Sequence, residues 1–267
     1  MSFFASISVV SYNRKDLTKY CVKSIKENTP RENFELIVVD NQSTDGATRV
    51  LKRMYAHKKI DKFIINQKDS LIGTAINLAW REAHPRSEWL ITFSNDFFVM
   101  DKWFVNLNAV VKDENPQYVL CLLLMGGYSP DGRQVIETPS GGRYLRRRET
   151  DQFIFGGALA LRRDIYDEYK TRFTEDRKRS SPFSLICRQL SEMKLKGIEL
   201  AKPCSLQQDC DWNNPVYEKY YKQIYRKRVS HGDPDHGMKS LRLLQQNGYT
   251  PYVKEYYEGT NYLNTLV

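Results

Sequence analysis

Trp89-Leu-Ile-Thr-Phe-Ser-Asn-Asp96 is an apolar run that ends abruptly in a small polar cluster containing one acid. Upstream, Leu36-Ile-Val-Val-Asp40 has the same form. Apolar runs of this length that are rich in Ile and Val are typical of buried parallel strands. In open α/β sheets, ligands bind at the carboxyl ends of such strands. Two acids at strand ends in the N-terminal half therefore predict a nucleotide site with a metal ion beside it.

The N-terminal half alternates between apolar runs and amphipathic segments. Strands are predicted at residues 6–10, 34–39, 63–65, 89–93 and 118–125. Helices are predicted between them, at residues 16–26, 47–55, 70–83 and 101–112. This alternation predicts an α/β fold with a doubly wound parallel sheet and right-handed crossovers.

The rhythm changes after Gly126, where glycine and proline turn signals follow one another closely. Such signals predict hairpins and a loop. Further elements are predicted downstream: a strand at 153–161, a helix at 184–196, a strand at 198–201 and a last helix at 235–246.

Composition narrows the class of protein. Hydrophobic residues make up 41% of the 267 residues, which is typical of a globular chain. The apolar runs are far shorter than the roughly 20 residues that span a bilayer, and the N-terminus does not resemble a signal peptide. Five cysteines without a CxxC pair indicate free thiols. We therefore expect a soluble protein of a reducing, cytoplasmic compartment.

The charge is strongly basic, because 41 Lys and Arg face 32 Asp and Glu, a net charge of +9. Such an excess favours polyanionic partners. It concentrates in three segments, 143–148, 177–179 and 217–228, the last with interleaved tyrosines. The alternative is a solvated helix face with tyrosines packed on one side. The candidate polyanion-binding residues are Arg146, Arg147, Arg148, Lys222, Arg226 and Arg228.

Four motifs follow one another along the chain: Ser8-Val-Val-Ser-Tyr-Asn-Arg14, Leu36-Ile-Val-Val-Asp-Asn-Gln-Ser-Thr-Asp-Gly46, Gly73-Thr-Ala-Ile-Asn77 and Phe93-Ser-Asn-Asp96. Their order resembles that of family 2 glycosyltransferases, over roughly residues 6–200. The resemblance implies the GT-A fold, a Rossmann-like, mostly parallel sheet flanked by helices, here with a C-terminal helical and aromatic extension. It also implies transfer of a sugar from a nucleoside-diphosphate donor, UDP-linked by expectation, to a hydroxyl acceptor, with inversion at the anomeric carbon.

On this basis the chain is expected to have three parts. Residues 1–125 form the nucleotide-sugar-binding half, residues 126–203 the acceptor-side half of the same domain, and residues 204–267 a basic, Tyr-rich extension. The candidate nucleotide-sugar ligands are the polar and glycine residues of the motifs: Ser11, Asn13, Arg14, Asp40, Gly73, Asn77, Ser94 and Asn95.

The resemblance assigns Asp40 to the uracil imide, which suits a carboxylate because it only accepts hydrogen bonds. The residues alone leave open that Asp40 forms a turn or caps a helix. Arg14 pairs with a phosphate or lies on the surface. Gly73 and Asn77 contact a sugar or ribose through close backbone approach and an amide, or serve as an ordinary helix start.

The resemblance places a divalent cation, Mn²⁺ or Mg²⁺, on Asp96, where it bridges the donor diphosphate. Ser94 and Asn95 stand where many relatives have further acids, and a plain strand-terminating turn is the alternative. His231 is the candidate for a second metal ligand. The alternative is that its segment is an ordinary loop that caps a helix. The first candidate for the catalytic base is Asp176 and the second is Glu175. The alternative is that these residues are merely exposed acids beside a basic run.

Several acceptors and one different class of function remain open. The acceptor is a glycan or another hydroxyl compound, and a hydroxymethylated base in DNA would suit a basic enzyme that extrudes its target. Anionic lipid would attract the same segments in a peripheral membrane contact. Because acids are missing at Ser94 and Pro182, a non-catalytic module that binds nucleotides or polyanions is the alternative class.

Overall fold

The structure is a computed structural model, and it describes residues 3–67, 71–99, 102–120, 123–124, 135–146, 158–173, 184–200 and 205–207. The strands are β1 (Ala5–Ser11), β2 (Phe34–Asp40), β3 (Lys62–Ile65), β4 (Trp89–Ser94), β5 (Phe97–Val99), β6 (Tyr118–Leu120), β7 (Leu123–Leu124), β8 (Val135–Glu137), β9 (Arg143–Arg146), β10 (Ala158–Arg162), β11 (Gly197–Leu200) and β12 (Ser205–Gln207). The helices are α1 (Lys15–Asn28), α2 (Ala47–Ala56), α3 (Ile72–Arg81), α4 (Trp103–Glu114), α5 (Arg163–Tyr169) and α6 (Ser184–Glu192), with a 3₁₀ turn at Arg31–Asn33.

Within the described residue ranges, nine strands form the main sheet, in the order β3-β2-β1-β4-β10-β6-β11-β9-β8. The first four are parallel neighbours, as the alternation of strands and helices predicts. β10 is antiparallel to both β4 and β6, which share one direction. β9 also runs against its neighbours β11 and β8. Seven of these nine strands therefore share one direction, as the expected mostly parallel sheet requires, although four of the eight neighbouring pairs are antiparallel.

The second half differs from the sequence prediction in its boundaries. The single strand predicted at 118–125 is replaced by two short strands, β6 and β7. β6 belongs to the main sheet, whereas β7 belongs to a separate three-stranded sheet with β5 and β12. The helix predicted at 184–196 ends at Glu192, and Lys194 has a left-handed backbone (φ 51°). Helix α5 was not predicted. The last helix predicted, at 235–246, lies outside the described residues.

The main sheet separates two apolar cores. Helices α1, α2 and α4 cover one face, where Val22, Leu51 and Trp103 pack against inward residues of the strands. Helices α3, α5 and α6 cover the other face through residues such as Trp80 and Ile186. Because both faces are covered, the central strands are apolar on both sides, which explains their continuous Ile and Val runs.

β1 shows why the two cores form. Ile7 and Val9 alternate into the core beside α1, and Val10 points into the opposite core beside α3. Ser8 also lies on the α3 side, where its hydroxyl accepts from the indole of Trp80 (3.2 Å) and donates to the carbonyl of Ile91 (3.1 Å). Buried polar groups in the strand are therefore satisfied. Within the described part of the chain, no helix is long and apolar enough to cross a membrane.

Candidate active site

The carboxyl ends of β1, β2 and β4 lie level at one edge of the sheet. Ser11, the last residue of β1, pairs with Asp40, the last residue of β2. Val10 pairs with Ser94, the last residue of β4. The polar residues that follow these three strands therefore meet at one edge, in the position where open α/β sheets bind ligands.

The turn after β1 is short and strained. Asn13 (φ 49°) and Arg14 (φ 68°) both have left-handed backbones before α1 begins. Left-handed non-glycine residues are uncommon and concentrate at functional positions. Tyr12 precedes them and is 51% exposed, which leaves its ring at the edge of the sheet. Sequence reasoning missed Tyr12, although a tyrosine at the start of a polar turn after a buried strand is a readable signal.

The loop after β2 is fastened to this turn. The Asn13 amide donates to the Ser43 hydroxyl (2.9 Å), and the Thr44 amide donates to the side-chain oxygen of Asn13 (2.7 Å). Asp45 accepts from the first amides of two helices, Lys15 of α1 (2.7 Å) and Ala47 of α2 (3.0 Å). A carboxylate at a helix N-terminus satisfies orphan amides and complements the helix dipole.

This contact of Asp45 with two helices fixes the loops after β1 and β2 against each other. Sequence reasoning missed the residue, because the amide of Lys15 is 30 positions away along the chain. Asn13 therefore bonds to the loop after β2 through both its backbone amide and its side chain. Its contact with a nucleotide is a proposal.

Asp40 is fully buried and holds its own loop. Its carboxylate accepts from the Ser43 amide (3.2 Å) and from the Thr48 hydroxyl. The turn-forming alternative that the sequence left open is therefore present in the structure. Asn41 follows directly and is also buried, with its amide donating to the Ser11 carbonyl (2.8 Å). The side-chain oxygen of Asn41 accepts from Asn66 (2.9 Å), which links the end of β3 to this edge.

Asp96 forms an ion pair with Arg14. Nη1 of Arg14 lies 2.8 Å from Oδ2 of Asp96. The Asp96 side chain is 8% exposed and that of Arg14 is 26% exposed. Two candidate residues from different motifs, separated by 82 positions, are thus in direct contact. A buried carboxylate needs such a partner, because an unpaired buried charge is strongly unfavourable.

Beneath this ion pair, the polar residues bond to one another. Asn95 donates to the Thr18 hydroxyl (2.9 Å), which lies 3.3 Å from the Ser11 hydroxyl. Thr18 also donates to the Arg14 carbonyl (3.1 Å). The Cys21 thiol donates to the Ser94 carbonyl (3.6 Å), and burial, followed by the charge of Asp96, raises its pKa well above the ordinary range. Cys21 therefore stays protonated and has no nucleophilic thiolate.

Gly73 and Asn77 lie in α3, and both are buried. Asn77 makes a two-way bond with the backbone of Phe173, because its Nδ2 donates to the carbonyl (3.0 Å) and its Oδ1 accepts from the amide (2.9 Å). The neighbouring Arg172 amide donates to Gln189 of α6 (3.0 Å). Residues 171–173 are therefore held between α3 and α6, and the amide of Asn77 is engaged by the protein.

The remaining candidates fall largely outside the described residues: Glu175, Asp176, Arg147, Arg148, Lys222, Arg226, Arg228 and His231. Arg146 ends β9 and pairs with Ile198, near the start of β11. Four strand spacings of about 4.8 Å separate β9 from β4, so Arg146 lies roughly 19 Å along the sheet from the strand ends described above. Its backbone is therefore remote from the edge that holds Asp96.

The residues at this edge fit a cation that takes some of its ligands from the protein and the rest from a substrate. Among the described residues, no group of three or more His, Cys, Asp or Glu could hold a metal ion. Mg²⁺ commonly takes one or two carboxylates from a protein and completes its shell with substrate phosphates and water. Asp96 supplies one carboxylate of this kind, whereas no group of three or more protein ligands for a metal is present in the described part of the chain.

Solved structures share this architecture. S. aureus TarS 1-349 aligns with a TM-score of 0.63 at 15% identity, over 90% of this chain and 70% of that chain. TarS 1-349 in complex with UDP-GlcNAc aligns at 0.58 and 17% identity, over 98% and 79%. The mannosyltransferase PcManGT from Pyrobaculum calidifontis, in complex with GDP-Man and Mn²⁺, aligns at 0.56 and 16% identity, over 100% and 85%. At these identities the likeness shows the fold, which is the GT-A fold of glycosyltransferases.

The fold and the order of motifs at its edge define a GT-A glycosyltransferase. The family model of glycosyl transferase family 2 matches residues 6–170, more than half of the 267 residues. The chain belongs to glycosyl transferase family 2, which confirms the resemblance seen in the sequence. No curated protein matches the chain by sequence.

Proposed function

We propose that this glycosyltransferase moves a sugar from a UDP-linked donor to a hydroxyl acceptor with inversion of the anomeric carbon. The observation that carries the proposal is the level edge of β1, β2 and β4, where Asp96 and Arg14 are in contact. TarS is similar in fold and was solved with UDP and with UDP-GlcNAc, which supports a UDP donor. PcManGT was solved with GDP-Man, so the donor panel below includes GDP-mannose.

We assign the base of the nucleotide to the crevice between the turn after β1 and the loop after β2. Tyr12 offers an exposed ring for stacking, and stacking on an aromatic ring stabilises any base. Asp40 accepts hydrogen bonds, as an imide donor requires, and the same carboxylate keeps loop 41–46 in place. Ser11 and Asn13 shape this crevice through the contacts described above.

We assign the diphosphate to the region of Arg14 and Asp96, and the sugar to the side of Ser94, Asn95 and Gly73. Asp96 would hold Mn²⁺ or Mg²⁺ together with the donor phosphates, and His231 is the candidate for a further ligand. A divalent cation bound there stabilises the negative charge that develops on the leaving diphosphate. Arg14 adds a planar fork of N–H donors that suits phosphate oxygens.

The catalytic base is proposed to be Asp176, with Glu175 as the alternative. The acceptor oxygen attacks the anomeric carbon, the bond to the diphosphate breaks, and the hydroxyl proton goes to the carboxylate. Phe173, three residues before Asp176, is fixed to α3 by Asn77. That anchor supports a base delivered from the chain that follows, since general bases need a defined position.

The test is a nucleotide-release assay with UDP-GlcNAc and GDP-mannose, each with and without Mn²⁺. We expect slow release of UDP that depends on Mn²⁺ and is abolished in Asp96→Ala. The control is Asp164→Ala, which removes an exposed acid paired with Arg162 (2.6 Å). Arg162 pairs with Trp89 at the start of β4, so the control lies at the opposite edge of the sheet.

Two outcomes would contradict parts of the proposal. Unchanged release in Asp96→Ala would remove the cation from this residue. Tight UDP binding with no turnover of any donor would favour the alternative that the chain is a non-catalytic nucleotide-binding module.

The acceptor is proposed from the charge of the chain. The net charge of +9 favours a polyanionic acceptor, among which DNA carrying a hydroxymethylated base is the most specific candidate. The basic residues concerned are Arg146, Arg147, Arg148, Lys222, Arg226 and Arg228. Binding to duplex DNA should weaken steeply as the salt concentration rises. The reason is that a bound protein releases counterions from the DNA, and this release is less favourable at high salt. Absent or salt-independent binding would exclude DNA, and liposome co-sedimentation would then test anionic lipid as the peripheral partner.

A further inference from the structure

The Arg14–Asp96 ion pair puts a cation of the protein on the carboxylate proposed to hold a metal ion. Nη1 of Arg14 lies 2.8 Å from Oδ2 of Asp96, which is a charge-assisted hydrogen bond. Among the residues that the structure describes, Asp96 is the only side chain to which Arg14 bonds. A divalent cation at Asp96 would therefore meet a guanidinium already in contact with the same group.

The backbone of Arg14 is fixed, whereas its side chain reaches solvent. Its carbonyl accepts from the Thr18 amide (3.0 Å) and the Thr18 hydroxyl (3.1 Å), which sets the start of α1. The side chain is 26% exposed, about three times the 8% of Asp96. An arginine side chain has several rotatable bonds, so the guanidinium can leave Asp96 without movement of the backbone.

Two positive groups on one carboxylate repel each other, and the repulsion is strongest in a buried site. A nucleoside diphosphate removes this conflict, because phosphate oxygens accept the guanidinium fork bidentately. Once Arg14 is bound to phosphate, Asp96 has lost this counter-ion, and a divalent cation shared with the diphosphate would take its place.

We propose that Arg14 is a displaceable counter-ion for Asp96, and that its transfer to the donor diphosphate makes cation binding depend on the nucleotide. The inference rests on the proposed function, since it takes Asp96 as the cation ligand. It gives the empty enzyme a paired carboxylate and reserves cation binding for the donor complex. By linkage, the nucleotide and the cation each raise the affinity of the other by the same factor.

Binding of Mn²⁺, followed by the EPR signal of the free ion, tests the inference without any turnover. In the wild-type protein we expect saturating UDP to raise Mn²⁺ affinity by about 5- to 150-fold, the usual range of such coupling. Arg14→Gln should bind Mn²⁺ more tightly than wild type when UDP is absent, and should bind UDP more weakly. A purely structural role of Arg14 predicts the opposite for Mn²⁺, namely weaker or unchanged affinity.

Lys15→Gln is the matched control, because it removes the same charge one residue further along, where the backbone amide bonds Asp45 instead. Unaltered Mn²⁺ affinity in this control would attribute the gain in Arg14→Gln to the contact with Asp96. Arg14→Lys keeps the charge and should bind Mn²⁺ without UDP as weakly as wild type. An equal gain in the Lys15 and Arg14 variants would overturn the inference.

Asp96→Ala separates this inference from the proposed function. If Asp96→Ala leaves Mn²⁺ binding in the presence of UDP unchanged, the metal assignment itself is wrong. If Asp96→Ala abolishes that binding while Arg14→Gln fails to strengthen Mn²⁺ binding without UDP, the proposed function stands and the counter-ion role of Arg14 is refuted. Thermal unfolding of each variant confirms that the compared proteins are folded.

Discussion

Replacing Asn77 by alanine should destabilise the protein strongly and impair catalysis beyond the loss of stability. Asn77 is fully buried and bonds both backbone groups of Phe173, a residue that is itself fully buried. In Asn77→Ala the amide and carbonyl of Phe173 lose these partners at a buried position. Each unsatisfied buried group costs about 1–3 kcal/mol, so the variant should lose roughly 2–6 kcal/mol of unfolding free energy.

Asn106 provides a matched control, because it makes the same two-way contact elsewhere in the fold. Its Oδ1 accepts from the Arg143 amide (2.8 Å), and its Nδ2 donates to the Arg143 carbonyl at a longer distance (3.4 Å). Asn106→Ala should therefore be destabilising too, but toward the low end of the same range of about 2–6 kcal/mol. Urea unfolding followed by circular dichroism measures both variants.

Activity separates positioning from stability. At a temperature where both variants are fully folded, Asn77→Ala should lower kcat for the glycosyl transfer, because Phe173 leads into the chain that carries Asp176. Asn106→Ala should leave kcat close to wild type. A loss of less than 1 kcal/mol in Asn77→Ala would refute the energetic argument. Equal kcat values in the two variants would refute the positioning role.

Two further predictions concern the nucleotide crevice and the packing of the sheet. Tyr12→Ala should weaken UDP binding by about 1–3 kcal/mol, roughly 5- to 150-fold, whereas Tyr12→Phe should bind UDP almost as wild type does. Calorimetry with UDP measures both variants, and equal affinities would contradict base stacking. Gly142→Ala should lower the midpoint of thermal unfolding by an amount equivalent to about 1–3 kcal/mol. A Cβ there would lie 2.7 Å from a side-chain carbon of Val110 and 2.8 Å from its backbone nitrogen, so an unchanged midpoint would show that this contact yields easily.

The sequence predicted the parallel part of the sheet well, because burial on both faces leaves a strong local signal. β1, β2 and β4 coincide with the predicted strands to within one residue at each end. The direction of β10 was not predictable in this way. An apolar run looks the same whether its strand is parallel or antiparallel, and direction depends on the connection that precedes it.

The candidate site was predicted in its elements but not in its contacts. The acids at strand ends are visible as interruptions of apolar runs, and the structure brings Asp96 to Arg14. The roles that depend on distant partners were invisible. Asp45 bonds Lys15 of another motif, and Asn77 bonds a residue 96 positions away. Periodicity and local composition contain no information about such long-range backbone contacts.

The two acids at the edge differ in how freely they can change partners, and this difference follows from the kind of partner each one has. Asp40 accepts from the Ser43 amide of its own loop and from the Thr48 hydroxyl in the first turn of α2, so releasing it would disrupt the start of α2. Asp96 accepts from the end of a long side chain whose backbone is fixed independently. A ligand can therefore replace Arg14 at Asp96 at the cost of this one ion pair, whereas Asp40 must act with its loop intact. Asp96 is accordingly the acid suited to exchange a counter-ion during a catalytic cycle, and Asp40 is suited to a constant role in shaping the crevice.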